Sequence, residues 1–295
     1  MIDHPAFADC RSILPLSGFS GALIALIRDD AGRQFVRKVA EQPGNSERLR
    51  RQATRQGDLE RWLDGVARVP AIDRDGVADD CYWFDMSFAP GRDGVTFLFD
   101  ASRAQQRAFI TKVHGVVERL ASLGVSDATV DVAAAAKHKI DEIKTRLGTA
   151  DHATLDRLEL HFRSAPTALP ATVAHGDLTL ENIIVAGDGS ITLIDTIDSP
   201  FDHYWNDLAK LFQDLEGRWF QHRGKRLPIA LSWDLRQQLF AAARAMDPGY
   251  ASHHYLMLAL VFARILPYAK SAADTAFVEH RLATFLDQHE RSVER

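Results

Sequence analysis

The sequence predicts an α+β fold with a small β-rich N-terminal lobe and a larger α-helical C-terminal lobe. Strand-like runs dominate the first ninety residues, whereas apolar residues at three- and four-residue spacing dominate after Gly91. The segment Ala89-Pro90-Gly91 is the clearest chain breaker between the two patterns. We therefore predict two domains, 1–90 and 91–295.

The N-terminal lobe alternates runs of β-branched and aromatic residues with turn residues, as is typical of strands. The predicted strands are Ile13–Leu16, Ala22–Ile27, Arg33–Ala40, Val66–Ile72 and Cys81–Phe88. Asn45 or Ser46 can cap a helix that continues to about Gln56, and a second short helix is predicted over Asp58–Asp64.

The C-terminal lobe shows helical periodicity that two short β segments interrupt. The predicted helices are 102–123, 128–147, 153–164, 203–215, 233–246, 250–268 and 272–294. The predicted β segments are a strand over Thr172–Ala174 and a hairpin over Asn182–Asp195, with its turn at Gly187-Asp188-Gly189.

Composition excludes several classes of protein. The 295 residues are 46 % hydrophobic and 25 % charged, which is typical of a globular protein and not of a disordered chain. Thirty-five Lys and Arg against 40 Asp and Glu give a net charge of −5. Nucleic acid is therefore not the expected partner, although a local basic patch is compatible with this balance.

The sequence favours a reduced, cytoplasmic compartment. The two cysteines, Cys10 and Cys81, are too few for a disulfide framework. They are also too far apart in sequence for a C-x-x-C metal site. The first ten residues lack the basic and apolar regions of a signal peptide. The longest apolar stretch, Tyr255–Ala269, is interrupted by Arg264 and is shorter than the ~20 residues of a membrane span. We predict a buried core helix there and no membrane association.

One motif carries the chemistry of the chain. His175, Asp177 and Asn182 stand as H-x-D-x-x-x-x-N, and Asp195 follows at the end of an apolar strand. Phosphoryl transfer needs a carboxylate that accepts the proton of the attacking hydroxyl, and oxygen ligands that hold Mg²⁺ on the phosphates. The alternative is a polar hairpin loop with a capping Asp and Asn.

The segment HGDLTLEN, followed by LID, resembles the catalytic and metal-binding loops of the aminoglycoside phosphotransferase and choline kinase family. That family has the bilobal protein-kinase-like fold, and the resemblance covers nearly the whole chain. It implies that Asp177 is the catalytic base and that Asn182 and Asp195 are Mg²⁺ ligands. It also implies that His175 supports the loop and that Asp207, in NDLAKL, steadies it.

Lys38 is the residue expected to bind the α- and β-phosphates of ATP or GTP. It lies in an apolar strand that follows two other strands, the position of this lysine in a kinase-like lobe. Alternation within a strand sends Arg37 to the opposite face.

The family pairs this lysine with a helix Glu, and here the chain departs from the pattern. The sequence offers four positions and leaves the choice open between Glu47, Gln52, Gln56 and Glu60.

Two further segments of the N-terminal lobe are expected to contact the nucleotide. The loop Ser17-Gly18-Phe19-Ser20-Gly21 precedes Lys38, and its backbone N–H groups and the hydroxyls of Ser17 and Ser20 would cover the phosphates. In WFDMSFAPG, backbone groups from Met86 to Phe88 would hold a purine. The alternative for the loop is an ordinary tight turn, whereas WFDMSFAPG is expected to be a core strand ending in a Pro-Gly turn as well as a purine-binding segment.

The phosphate acceptor is predicted to be a small molecule. Only eleven residues, 196–206, separate Asp195 from Asp207, which leaves no room for the long activation segment of a protein kinase. The resemblance implies a sugar, amino sugar, aminoglycoside or amino alcohol. Asp198, Asp202 and His203 could line the acceptor pocket or form an exposed polar loop.

The sequence leaves open the role of Arg264 and the exact activity. Arg264 is expected to be a buried structural cation or a substrate contact. A non-catalytic nucleotide-binding pseudokinase would lack the base or a metal ligand, and a protein or RNA kinase would need a longer segment after Asp195. The acceptor, the choice between ATP and GTP, and the oligomeric state are not determined by the sequence.

Overall fold

The computed structural model of the protein describes residues 2, 4–8, 10, 12–16, 22–29, 32–124, 128–148, 152–164, 168–197 and 201–294. Contacts divide the chain into two compact units. The first unit comprises Met1–Arg92 and Ile184–Asp198, and the second unit comprises Asp93–Ile183 and Ser199–Arg295.

The elements below are numbered in chain order. The strands are β1 (Ser12–Leu16), β2 (Ala22–Arg28), β3 (Gln34–Ala40), β4 (Ile72–Ala78), β5 (Cys81–Ser87), β6 (Arg92–Asp93), β7 (Thr129–Asp131), β8 (Ala168–Pro170), β9 (Ile183–Val185) and β10 (Ile191–Leu193). The helices are α1 (Ser46–Trp62), α2 (Gly94–Asp100), α3 (Arg103–Ser122), α4 (Val132–Leu147), α5 (Ala153–Ser164), α6 (Tyr204–Leu215), α7 (Trp219–His222), α8 (Ile229–Met246), α9 (Pro248–Ala263) and α10 (Ala272–Val293).

The first unit is built on a five-stranded sheet in the order β1-β2-β3-β5-β4, and α1 packs against it. The neighbours in this order pair antiparallel. Apolar side chains of the strands and of α1 form one core, which includes Ile27, Val39, Leu49 and Phe84. The strands predicted over 13–16, 22–27, 33–40 and 81–88 are confirmed to within two residues at either end.

Two local predictions in this unit are wrong. The two helices predicted over 45–56 and 58–64 are one helix, α1, which continues through Gly57; a glycine inside a helix costs only about 1 kcal/mol relative to Ala. The strand predicted over Val66–Ile72 begins instead at Ile72 and runs to Ala78. This strand lies at the edge of the sheet, where charged residues are favoured. Its sequence IDRDGVA is mostly polar, so an apolar pattern does not predict it.

Residues 184–198, which include most of the hairpin of β9 and β10, make most of their contacts with the first unit. The backbone of Arg68 bonds to Ile191 and Leu193 of β10, at 2.9 Å in both cases. Gly91 has φ +156°, and a Cβ there would lie 2.4 Å from the carbonyl oxygen of Val185 in β9. Glycine is therefore required where the chain leaves the sheet. The division into 1–90 and 91–295 stays a prediction, and by contacts 184–198 group with the first unit.

The second unit is mostly helical, and α9 is its central helix. This helix packs against α4, α5, α6, α8 and α10, and its residues Leu256–Ala263 are all buried. The predicted core helix is therefore confirmed as far as Ala263, where α9 ends, and a short 3-10 helix over Leu266–Tyr268 follows it. Within the described ranges, no helix is long and apolar enough to cross a membrane.

The strand predicted over Thr172–Ala174 is not formed. The strand in this region is β8, which ends at Pro170 and pairs with β7. The backbone N–H of Ala174 donates to the side chain of Asp202, at 3.2 Å. The segment that leads into the motif is thus held at Ala174 by a side chain of a later segment and not by a neighbouring strand.

Adjacent residues of β3 send their side chains to opposite faces, as predicted. Arg37 is paired across the sheet with Asp85, and its guanidinium donates two parallel hydrogen bonds to that carboxylate, at 2.7 and 2.9 Å. It also donates to the carbonyl of Ala6 and lies 4.3 Å from the ring centroid of Trp83. Both charged side chains of the Arg37–Asp85 pair are 1 % exposed.

This buried pair generates the first prediction. Arg37→Met removes this guanidinium but leaves the buried Asp85 carboxylate with Arg74, whose Nε lies 2.6 Å from Oδ2. The free energy of unfolding should therefore fall by about 1.5–3 kcal/mol, the contribution of a hydrogen bond to a charged group. The matched control is Arg33→Met, because Arg33 pairs with Asp29 at 2.7 Å but is 83 % exposed, and the expected loss there is at most about 1 kcal/mol. Urea titration measures both. Equal losses for the two variants would contradict the role given to the buried pair.

Candidate active site

The loop that carries the catalytic motif, His175–Asn182, is held by hydrogen bonds to its backbone. The N–H groups of His175 and Gly176 donate to the two carboxylate oxygens of Asp207, at 2.6 and 2.9 Å. Gly176 has φ +89°, a conformation that favours glycine and explains its place between His175 and Asp177. The predicted steadying contact of Asp207 is therefore present, and it acts on main-chain atoms.

Helix α6 supplies further contacts to the same loop. Every residue of this helix is buried, including its polar residues. Asn206 donates to the carbonyl of Gly176 at 3.0 Å, and Asp214 accepts the N–H of Leu180 at 2.7 Å. Residues 206, 210 and 214 are four apart and therefore lie along one side of the helix, next to Asp207.

Asp177, the predicted base, is held at both carboxylate oxygens. The ammonium of Lys210 lies 3.0 Å from Oδ1, and the amide nitrogen of Asn182 donates to Oδ2 at 3.0 Å. Burial raises the pKa of Asp177, but the charge and hydrogen bond of Lys210 outweigh it, so this pKa lies below its ordinary value. The Asp177 side chain is 24 % exposed, whereas that of Lys210 is 9 % exposed.

Arg264 contacts this loop indirectly, through Asn206. Its guanidinium donates to the amide oxygen of Asn206 at 2.7 Å, and Asn206 in turn holds Gly176. This contact favours the structural role expected for Arg264, whose side chain is partly buried, and a substrate contact stays a prediction.

In the first unit, Lys38 forms an ion pair with Asp195. The Lys38 side chain is 3 % exposed and that of Asp195 is 42 % exposed. Asp195 has φ +59°, in the left-handed region that Asp tolerates better than most residues. Asp195 follows β10 closely, so the hairpin places the carboxylate and β3 supplies the lysine.

The residue on α1 that points toward this ion pair is Gln52. Its amide nitrogen donates to the carbonyl of Thr196 at 2.6 Å, next to Asp195 in the chain. Gln56 is buried and donates to Pro70 and to the sulfur of Met86, whereas Glu47 and Glu60 are exposed. The question left open by the sequence is thus answered: α1 holds the backbone beside Asp195, and the ion-pair partner of Lys38 is Asp195.

Asn182 in the second unit and Asp195 in the first each present an oxygen atom of the kind that magnesium takes. Both amide-nitrogen hydrogen bonds of Asn182 go to Asp177, one to its carbonyl and one to its carboxylate, so the amide oxygen is the atom that can face a cation. Asp195 presents a partly exposed carboxylate. Magnesium takes oxygen ligands and commonly uses one or two protein groups together with phosphate oxygens. Among the described residues, no three His, Cys, Asp or Glu cluster as a metal site.

The residues predicted to contact the nucleotide or the acceptor are only partly within the described residues. The loop Ser17-Gly18-Phe19-Ser20-Gly21 and Asp198 lie outside the described residues. Met86 is buried near the end of β5, and Phe88 follows that strand. His203 is not in an exposed loop: its ring accepts the N–H of Trp205 as the cap of α6, and burial lowers its pKa to about 4. An acceptor contact by His203 stays a prediction.

Comparisons with known proteins identify the family. The family model described as "Phosphotransferase enzyme family" matches residues 13–252. The chain belongs to this phosphotransferase family. A search of curated protein sequences finds no significant match.

Several solved structures are similar to this phosphotransferase. One is the amicoumacin kinase hAmiN in complex with AMP-PNP, Ca²⁺ and Ami, with 15 % identity, a TM-score of 0.64, and coverage of 94 % of this chain and 88 % of that one. Another is the GDP complex of wild-type aminoglycoside 2'-phosphotransferase-IIIa, with 16 % identity, a TM-score of 0.56, and coverage of 97 % and 94 %. A third is the macrolide 2'-phosphotransferase MphH from Brachybacterium faecium, with 17 % identity, a TM-score of 0.54, and coverage of 92 % and 91 %. The predicted protein-kinase-like α+β fold is confirmed.

Three residues that hold the catalytic loop were missed by sequence reasoning. They are Asn206, Lys210 and Asp214. The signal was present in YWNDLAKLFQDL, where polar residues recur every four positions in an otherwise apolar helix. Such a stripe on a core helix predicts buried partners, because a polar group is rarely buried without one.

Asp214 of this phosphotransferase generates a prediction about pH. Burial raises the pKa of Asp214 to about 8, against the opposing effects of the Leu180 N–H and Lys210, and with small additions from Glu181 and Asp177. Between its ordinary pKa and this value, the folded protein keeps a proton that the unfolded chain has lost, so stability falls as pH rises. Asp214→Asn retains an acceptor for Leu180 and does not titrate. Its free energy of unfolding relative to wild type should therefore increase from about pH 5 to pH 8 and then become constant.

The control for this prediction is Asp188→Asn in the turn between β9 and β10. Hydrogen bonds from Ser190 lower the pKa of Asp188, so that carboxylate stays ionised in this range and its variant should differ from wild type by a constant amount. Urea titrations across the pH range measure both differences. A pH-independent difference for Asp214→Asn would show that this carboxyl is ionised in the folded protein.

Proposed function

We propose that this phosphotransferase moves the γ-phosphoryl group of Mg²⁺-bound ATP or GTP to a hydroxyl group of a small molecule. The observation that carries the proposal is the environment of Asp177. Its carboxylate is partly exposed, held at both oxygens, and located in a loop whose backbone is fixed by α6. A carboxylate restrained in this way suits a base that must receive a proton at a defined position.

In the proposed reaction, the acceptor oxygen attacks the γ-phosphorus and forms a new P–O bond. The bond from that phosphorus to the bridging oxygen breaks, and its electron pair leaves with the nucleoside diphosphate. The hydroxyl proton passes to Asp177. His175 and Asp207 act at a distance, by fixing the loop that carries the base.

The nucleotide would be held by residues of the first unit. Lys38 would bind α- and β-phosphate oxygens, and the ion pair with Asp195 keeps its ammonium in place. Asn182 and Asp195 would hold Mg²⁺, which neutralises charge on the phosphates when it is bound. The loop Ser17-Gly18-Phe19-Ser20-Gly21 would cover the phosphates, and backbone groups of Met86 and Phe88 would contact the purine.

The acceptor is proposed to be a sugar, amino sugar, aminoglycoside or amino alcohol. The short segment between Asp195 and Asp207 supports a small molecule over a protein, and the similar structures are named for amicoumacin, aminoglycoside and macrolide phosphorylation. Asp198 and His203 stay candidates for acceptor contacts. The cytoplasmic location, where Mg²⁺-ATP is available, is part of the same proposal.

The function is tested by nucleoside diphosphate formation from Mg²⁺-ATP and Mg²⁺-GTP with pooled sugars, amino sugars, aminoglycosides and amino alcohols. We expect one pool to raise the rate, and mass spectrometry of that pool to find one compound heavier by a phosphoryl group. A pure, folded protein that binds nucleotide but forms no diphosphate with any pool would support the pseudokinase alternative.

Two substitutions should separate the base from the metal ligand. Asp177→Asn removes the proton acceptor, so turnover should fall by about 10²–10⁴-fold while Mg²⁺-dependent nucleotide binding persists. Asp195→Ala removes a proposed metal ligand, so the shift in melting temperature that Mg²⁺ adds to nucleotide binding should be lost. Rate assays and thermal-shift titrations with and without Mg²⁺ measure these effects. Full turnover in Asp177→Asn, or an unchanged Mg²⁺ effect in Asp195→Ala, would overturn the corresponding assignment.

A further inference from the structure

Lys210 is a buried charge whose partner is the proposed catalytic base. It lies in the middle of α6 between Ala209 and Leu211, both of which are completely buried. Its ammonium is 3.0 Å from Oδ1 of Asp177 and 3.1 Å from the side-chain oxygen of Gln213. The motif that identified the site includes neither Lys210 nor Gln213.

We propose that Lys210 is the positioning residue of the base, and that it fixes the Asp177 carboxylate for proton transfer by holding Oδ1 while Asn182 holds Oδ2. The inference rests on the proposed function in taking Asp177 as the base. Two donors on different oxygens of one carboxylate restrict its rotation about the bond to the side-chain carbon. A single donor would leave the carboxylate free to turn about that contact.

Stability alone does not account for a lysine at this position. Removing an ammonium from water opposes folding, and well-packed apolar residues commonly replace both members of a buried ion pair without loss of stability. The residues next to Lys210 in the chain are apolar, whereas Asn206 and Asp214, on its own side of α6, contact the backbone of the loop. The feature that an apolar residue could not supply is the contact with the carboxylate of Asp177.

The geometry also defines what Lys210 does not do in the reaction. In the proposed step the hydroxyl proton passes to Asp177, and Lys210 neither gives nor receives a proton. Lys210 acts through Asp177 and not on the substrate. Its loss should therefore lower kcat and leave nucleotide binding unchanged.

The test is a double-mutant cycle between Lys210 and Asp177, measured as diphosphate formation with the pooled acceptors and as nucleotide affinity. Lys210→Met should lower kcat on the order of 10²-fold, because misplacing a reacting group by about an ångström costs that much. The dissociation constant for Mg²⁺-ATP should be unchanged, and Lys210→Arg should recover much of the rate. If Lys210→Met does not fold, Lys210→Gln, which keeps polarity and removes the charge, should show the same loss.

The decisive comparison is made in the Asp177→Asn background. There the base is already lost, so adding Lys210→Met should have no further effect on kcat. A further loss of the same factor would overturn the proposal, as would a full rate in the single variant Lys210→Met. If Asp177→Asn by itself keeps full turnover, the proposed function fails at its base, and this outcome is distinguishable from a failure at Lys210.

Lys144→Met is the matched control for loss of a paired lysine. Lys144 lies in α4 of the same unit and pairs with Asp156 at 2.6 Å and with Glu159 at 3.0 Å. This variant should keep the wild-type kcat. An equal loss of kcat in Lys144→Met and Lys210→Met would attribute the effect to general destabilisation and overturn the proposal.

Discussion

The carboxylate of Asp207 accepts the backbone N–H groups of both His175 and Gly176, and the geometry of the catalytic loop depends on this contact. His175 and Gly176 lie outside the strands and helices of the structure, so their N–H groups need acceptors from elsewhere in the chain. A completely buried carboxylate at the start of α6 provides the acceptors. Asn206, Lys210 and Asp214 then add contacts farther along the loop from the same helix.

The two units share one electrostatic arrangement. In the first unit, the buried Lys38 pairs with Asp195, and in the second the buried Lys210 pairs with Asp177. In both pairs the lysine is at most 9 % exposed, and the carboxylate is 42 % or 24 % exposed. In each unit a buried lysine thus binds a motif carboxylate that is itself partly exposed to solvent. This arrangement agrees with the roles proposed for the two carboxylates, Asp195 as a metal ligand and Asp177 as the base, since each role needs an accessible oxygen in a fixed orientation.

The parts of the fold that sequence predicted well are those with a strong apolar pattern. The strands β2, β3 and β5 and the core helix α9 were recognisable because their apolar residues are buried at a regular period or in a continuous run. The strand β4 was missed because an edge strand needs few apolar residues. The strand expected over Thr172–Ala174 failed because a donor of that segment bonds to a side chain distant in sequence, which periodicity does not show.

The site residues also fall into two groups, those that the sequence indicates and those that only the structure shows. Asp177, Asn182 and Asp195 were selected because phosphoryl transfer needs residues of these types and because their order resembles that of the phosphotransferase family. No chemical requirement of the reaction points to Lys210 or Asp214 in the sequence. Their contacts arise from packing between α6 and a loop some thirty residues earlier. The partner of Lys38 was also undetermined, because a sequence does not show whether a buried lysine meets a residue of α1 or Asp195.

The central claim is that α6 fixes the catalytic loop through Asp207, and hydrogen exchange of the loop amides in Asp207→Asn tests it most directly. Asparagine offers one carbonyl oxygen in place of two carboxylate oxygens, and its amide group faces an N–H that needs an acceptor. Hydrogen bonds to charged groups contribute about 1.5–3 kcal/mol, so protection of the His175 and Gly176 amides should fall by roughly 10- to 100-fold. Asp131→Asn, at the exposed start of α4, should leave these two amides unchanged. Undiminished protection of His175 and Gly176 in a folded Asp207→Asn protein would contradict the claim.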